Sequence, residues 1–237
     1  TFRVPKLLKK LKQMLEEIEN CRGAHPKGGK LKYPMNPYNQ DIFEETSESN
    51  PIVPYTEYDS RSVLGLAAYI VLHTRPDCAY STAVCARFSG CRNTENVVKA
   101  INHLAWYLID TEEDHVLTFW KSESSSGLNA FSDASFANCP ITRKSHYGYF
   151  LRYGENIFGW RSKLQSIPAL SSRDSELIAS VECIKHLLGV RFFLCETGFL
   201  HDGPTPVRID NKASLEGIRN DKISKSSMYM GYRLVWV

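Results

Sequence analysis

The sequence has no apolar run approaching the roughly 20 residues that span a bilayer, no CxxC pair, little net charge and no initiator methionine. The first absence argues against a membrane-spanning helix. The opening TFRVPKLLKK also lacks the apolar core followed by small residues that a secretory signal needs. The cysteines (Cys21, Cys78, Cys85, Cys91, Cys139, Cys183 and Cys195) number seven, which is odd. They point to reduced thiols inside a cell rather than to a disulfide framework or a structural zinc site. A net charge of +3 is too small to declare nucleic-acid binding by itself. The missing methionine suggests a fragment or a piece of a larger polyprotein. What is present, 43% hydrophobic and 23% charged residues in a chain of 237, is enough for one large domain or two modest ones with a real core.

Leu7, Leu8, Leu11, Met14, Leu15 and Ile18 recur at three-and-four spacing behind Pro5, which predicts an amphipathic helix within residues 1–22. Residues 23–57 are proline-rich and aperiodic, as expected of a linker or an extended strap. Residues 58–122 read as a helical region. One face carries Leu64, Ala67, Ala68 and Val71, and the TRPD stretch at Thr74–Asp77 interrupts the pattern because Pro76 disfavours helix at Arg75. Two further helices follow, through Phe88 and from Thr94 to Ile109. Beyond Asp110, HVLTFW, LNAFS, YGYFLR and NIFGWR read as short strands separated by turn residues. A long helix should then start at a Ser171/Asp174 capping box, present Ile178, Val181, Leu188 and Phe192 as its apolar face, and stop near Gly198. The stretch PTPVRIDN gives a last strand ending at Asp210.

Three acids occupy comparable places in that order. Asp133 ends the first strand of residues 123–237, Glu176 lies near the start of the long helix, and Asp210 ends the strand after it. In a right-handed βαβ arrangement, parallel strands end on the same edge of the sheet, where ligands usually bind. Carboxylates gathered there repel one another, and a hard divalent cation such as Mg²⁺ relieves the repulsion. Each acid alone is better read as a turn or helix-start residue. Similarly, His186 reads as a partly buried structural residue, Trp160 and Tyr149 as core, and Cys139 and Cys183 as small buried positions.

The stretch from Phe131 to Ser180 resembles the ribonuclease H domain of copia-type (pseudovirus) retrotransposon Pol polyproteins. The matching elements, in the family's order, are Ser132 to Ala137 (SDASFA), Lys144 to Tyr149 (KSHYGY), Trp160 to Gln165 (WRSKLQ), Ser171 to Glu176 (SSRDSE), and the later Ile209-Asp210-Asn211. Upstream, Tyr58 to Phe88, with its TRPD, is similar to the segment linking polymerase to ribonuclease H in that family.

The resemblance implies an α/β fold, a ribonuclease H-like mixed sheet with flanking helices, preceded by a helical connection region at 58–122. It implies hydrolysis of the RNA strand of an RNA–DNA hybrid by two Mg²⁺ ions, with Mn²⁺ as the alternative, held by Asp133, Glu176 and Asp210. Asp174 stands where the family often has another acid and is not expected to be a ligand. Lys144 and Lys163 are expected at phosphates, and Ser135 and Asn211 at sugar hydroxyls. The partners implied are the hybrid and the reverse transcriptase domain of the same polyprotein, with no membrane, in a cytoplasmic virus-like particle or the nucleus.

No Y-x-DD polymerase motif occurs. Where the family carries a KH-x-D element, this chain reads SKSSMYMGYRLVWV, and Asp221 is a poor positional match. The ribonuclease H region is therefore expected to be C-terminally incomplete or divergent. The competing expectation is an inactive or co-opted remnant that binds nucleic acid or a protein without cleaving.

Overall fold

The computed structural model describes residues 4–18, 22–26, 29–34, 40–90, 93–121, 127–199 and 203–210. The chain divides into two compact units, Thr1–Thr118 and Phe119–Val237.

In the first unit, α1 (Pro5–Glu16) has proline in its first turn, where a missing N–H costs nothing, and buries Leu8, Leu11 and Leu15. The helix α2 (Ser60–Thr74) is capped by Asp59, whose carboxylate accepts from the N–H groups of Arg61 and Ser62 at 3.2 Å each. It ends at Arg75, as Pro76 dictates, and a 3-10 turn at Pro76–Cys78 leads directly into α3 (Ala79–Phe88). The helix α4 (Glu95–Asp110) buries Val97, Val98, Ile101, Leu104 and Leu108. Leu31, Ile42 and Val53, from the stretch expected as linker or strap, are buried in the same core.

The TRPD segment has a physical reason. Arg75 is only 3% exposed, and its guanidinium holds the Asp77 carboxylate through two bonds of 2.9 and 2.8 Å. It also donates to Thr111 Oγ1 at 2.8 Å. A buried guanidinium that is paired and fully bonded is tolerated, whereas an unpaired one is not.

The second unit is built on a four-stranded mixed sheet in the order β3-β2-β1-β4. Strands β1 (Leu128–Ser135), β2 (His146–Tyr153) and β3 (Asn156–Leu164) form an antiparallel meander. The β2–β3 turn uses Gly154 at φ +58°, a left-handed conformation that glycine adopts without strain. The chain then forms α5 (Ser172–Glu196) and returns as β4 (Val207–Ile209), parallel to β1. Leu128, Ala130, Tyr147, Tyr149 and Leu151 from the sheet meet Ala179, Cys183 and Leu187 from α5 to make the core. The unit is thus α/β. Among the described residues, no helix is long and apolar enough to cross a membrane.

Three expectations need correction. The buried face of α5 is not the one marked by its largest apolar side chains: Leu188 is 57% and Phe192 69% exposed, whereas Glu176, Ala179, Ser180, Cys183 and Leu187 are buried. Small residues face the sheet because the helix lies close against β1, which itself offers Ala130 and Ser132 there. His115–Trp120 forms no strand and reaches only an isolated bridge at Leu117, so the sheet begins at Leu128. His186 is exposed rather than partly buried, although its ring edge packs on Tyr149 at 5.7 Å. Gly159 makes room for that ring, since a Cβ there would lie 3.3 Å from His186 Cε1. Cys139, Cys183 and Tyr149 are buried, and Trp160 is intermediate.

Candidate metal centre

The parallel pairing of β1 with β4 sets the site. The register runs Ala130 to Val207, Phe131 to Arg208 and Ser132 to Ile209. Asp133 and Asp210, the next residue on each strand's path, therefore lie at the same level where the β1–β4 pairing stops, although β1 itself runs on to Ser135, two residues beyond the end expected at Asp133. Strand spacing alone brings their backbones within about 5 Å.

Glu176 comes from α5. Ser171 caps this helix by accepting from the Asp174 N–H at 3.1 Å, which fixes where the helix begins. Glu176 is then the fifth helical residue and shares its stripe with Ala179, Cys183 and Leu187, so its side chain lies on the sheet-facing side of the helix. The Ser180 hydroxyl donates to the Glu176 carbonyl at 2.8 Å and lies 3.3 Å from the Ser132 hydroxyl. This pair of small side chains lets helix and strand approach closely just below the acids.

The outcome is a cluster in which Asp133, Glu176 and Asp210 each offer a carboxylate oxygen, all within 4.8 Å of one another. Asp133 and Asp210 are exposed and Glu176 is 5% exposed, so the cluster opens to solvent on the aspartate side. The Ala134 N–H donates both to Asp133 Oδ1 at 2.8 Å and to Glu176 Oε1 at 3.2 Å. Glu176 Oε2 is buried and has no hydrogen-bond partner among the described residues. Burial, followed by repulsion from Asp133 and, more weakly, Asp210, pushes the Glu176 carboxyl up to about 7, against an opposing pull from the Ala134 N–H. A solvent-facing group of three carboxylates, one of them with an orphaned oxygen, could hold a hard cation.

The other residues expected at the site are placed differently. Ser135 is exposed at the end of β1, two residues past Asp133. Lys163 is exposed on β3 and pairs with Tyr147, which pairs with Ala134, so it lies two strand spacings, about 10 Å, from β1. The Lys144 amine donates to the Ser166 carbonyl. Asn211, Asp221 and the 224–237 stretch lie outside the described residues. Asp174 is buried, and its carboxylate accepts from the Leu170 N–H at 3.1 Å, which ties it to the turn before α5.

Ser145, Gln165 and Ser175 lie inside the matched motifs but were assigned no role there, and they are 0%, 1% and 0% exposed. The signal that could have found them is their place in those motifs, and their burial is what gives it meaning.

The chain is 30% identical over 185 residues, 78% of its length, to a retrovirus-related Pol polyprotein from transposon TNT 1-94 of Nicotiana tabacum, of which it covers 13%. It is 27% identical over 179 residues to the Pol polyprotein from transposon RE1 of Arabidopsis thaliana, covering 75% of this chain and 12% of that one. It is also 31% identical over 132 residues to secreted RxLR effector protein 161 of Plasmopara viticola, covering 55% of this chain and 86% of the effector. The chain thus spans about an eighth of the length of each of these two polyproteins. No protein-family model matches it, and no solved structure does.

Proposed function

Because the chain belongs to the family of retrovirus-related Pol polyproteins of copia-type transposons, we propose that its second unit is a ribonuclease H-like domain hydrolysing the RNA strand of an RNA–DNA hybrid. The observation that carries this reading is the carboxylate cluster of Asp133, Glu176 and Asp210 at the end of two parallel strands. On this reading the first unit is the connection region, and the partners are the hybrid and the reverse transcriptase domain of the same polyprotein.

The donor set fits Mg²⁺, with Mn²⁺ as a close substitute. All donors are carboxylate oxygens, two are open to solvent for waters and phosphate oxygens, and the buried Glu176 Oε2 has no other partner among the described residues. Asp133, Glu176 and Asp210 would hold the ion, and a pair of ions would supply a water of lowered pKa and offset charge on the scissile phosphate. The protein's own part is orientation. The Ala134 N–H fixes one oxygen of each of Asp133 and Glu176, leaving the others available. Burial and the neighbouring Asp133 favour the protonated form of Glu176, and a bound cation would favour the carboxylate. On this reading Ser135, exposed beside the site, would bond a sugar hydroxyl, and the exposed Lys163 would contact a phosphate farther along a strand.

The test is incubation of the chain with a hybrid carrying a labelled RNA strand and Mg²⁺, beside Asp210→Asn. The reading expects RNA cleavage by the wild type, lost on chelation and in the variant. Equal persistence of the RNA with both proteins would overturn it.

A second reading has one observation in its favour. The effector from Plasmopara viticola is matched along most of its length, so a related sequence exists as a protein far smaller than a polyprotein. A co-opted unit that binds nucleic acid or protein without cleaving would bind the hybrid in the same assay and leave it whole.

A further inference from the structure

Glu176 and Asp133 sit on different elements, and their spacing depends on what joins the start of α5 to the end of β1. A continuous buried polar path makes that join. Just past β1, Ala137 adopts φ +49°, a left-handed conformation unfavourable for alanine, and its N–H donates to Ser145 Oγ at 3.0 Å. The Ser145 carbonyl accepts from the Gln165 N–H at 2.8 Å. The Gln165 side chain then crosses to α5, where Nε2 donates to the carbonyl of Ser175, the residue before Glu176, at 2.9 Å.

Gln165 is 1% exposed, and its Oε1 is buried with no hydrogen-bond partner among the described residues. A buried amide oxygen without a donor is a net cost to folding, so a methionine of similar shape would suit this position at least as well if packing were its only task. What methionine cannot supply is the Nε2 donor that holds the first turns of α5 against the β1–β2 loop.

We propose that Gln165 is a positioning residue that sets the separation of the Glu176 and Asp133 carboxylates through the Ser145–Gln165–Ser175 path. This inference rests on the reading of those carboxylates as a cation site. Partners that orient ligands from behind typically matter by about 10–100-fold in metal affinity.

The experiment is Mn²⁺ titration of the full 237-residue chain, followed by water-proton relaxation, for wild type, Gln165→Met and Asp210→Asn, with melting temperature recorded for each. The proposal expects Gln165→Met to melt close to wild type while its Mn²⁺ dissociation constant rises by about 10–100-fold. An unchanged constant in a folded Gln165→Met overturns it. Wild type and Asp210→Asn binding equally, or wild type not binding, would remove the cation site itself and this inference with it. If Gln165→Met does not fold, Gln165→Leu removes the same Nε2 donor with another apolar side chain; weakened Mn²⁺ binding supports the proposal and unchanged binding refutes it.

Discussion

The proton on Glu176 makes the acid cluster measurable as stability. In the unfolded chain this carboxyl titrates near its ordinary value of 4.5; in the folded protein, burial and the neighbouring Asp133 carry it up to about 7. Below 4.5 both states hold the proton, and the group contributes no difference. As pH rises through the interval up to about 7, the unfolded chain releases the proton while the folded chain retains it, so stability falls. The full loss above that interval corresponds to about 3 kcal/mol. Glu176→Gln removes the ionisation and can keep the acceptor facing the Ala134 N–H. In metal-free buffer the variant should therefore match wild type at about pH 4 and exceed it at about pH 8, by up to about 3 kcal/mol, or on the order of 10 °C in melting temperature for a unit of this size. Thermal unfolding in the presence of chelator, followed by circular dichroism, is the assay. Saturating Mg²⁺ should narrow or reverse the gap, because only wild type offers the full ligand set. A difference between the proteins that does not change with pH would refute the account of Glu176 as a carboxylate held among like charges.

Three other perturbations separate the roles of neighbouring residues. Ser180→Leu forces bulk into a fully buried contact between α5 and β1 and should cost about 1–3 kcal/mol while lowering Mn²⁺ affinity, both read from melting and titration of one sample. Asp174→Ala removes the acceptor for the Leu170 N–H and should cost about 1 kcal/mol with Mn²⁺ affinity unchanged; a tenfold loss of affinity would place Asp174 in the cation site. In the first unit, Asp77→Ala strands the buried Arg75 guanidinium and should cost about 3–5 kcal/mol in denaturant unfolding, leaving Mn²⁺ binding in the second unit intact.

The acids were legible in the sequence because the order strand–helix–strand put them at one sheet edge and the motifs SDASFA, SSRDSE and IDN then picked them out. Asp133 lies in β1, two residues before its end rather than at the end expected, Asp210 follows a strand parallel to it, and Glu176 follows a capped helix start. The face of α5 was not legible. Leu188 and Phe192 outweigh Ala179, Ser180 and Cys183 on any hydrophobicity scale, yet the small residues are buried because helix and sheet lie close together. HVLTFW has the composition of a strand but lies outside the sheet, which shows how weakly a short apolar run determines pairing. Gln165 and Ser145 could not be singled out by residue type. Their importance comes from burial and from bonds between segments distant in sequence.

The most direct measurement is anomalous diffraction from crystals of the chain equilibrated with Mn²⁺. The account predicts a peak bounded by the carboxylates of Asp133, Glu176 and Asp210, absent in Asp210→Asn. A saturated crystal with no peak among these three side chains, or with the peak retained in the variant, would contradict it.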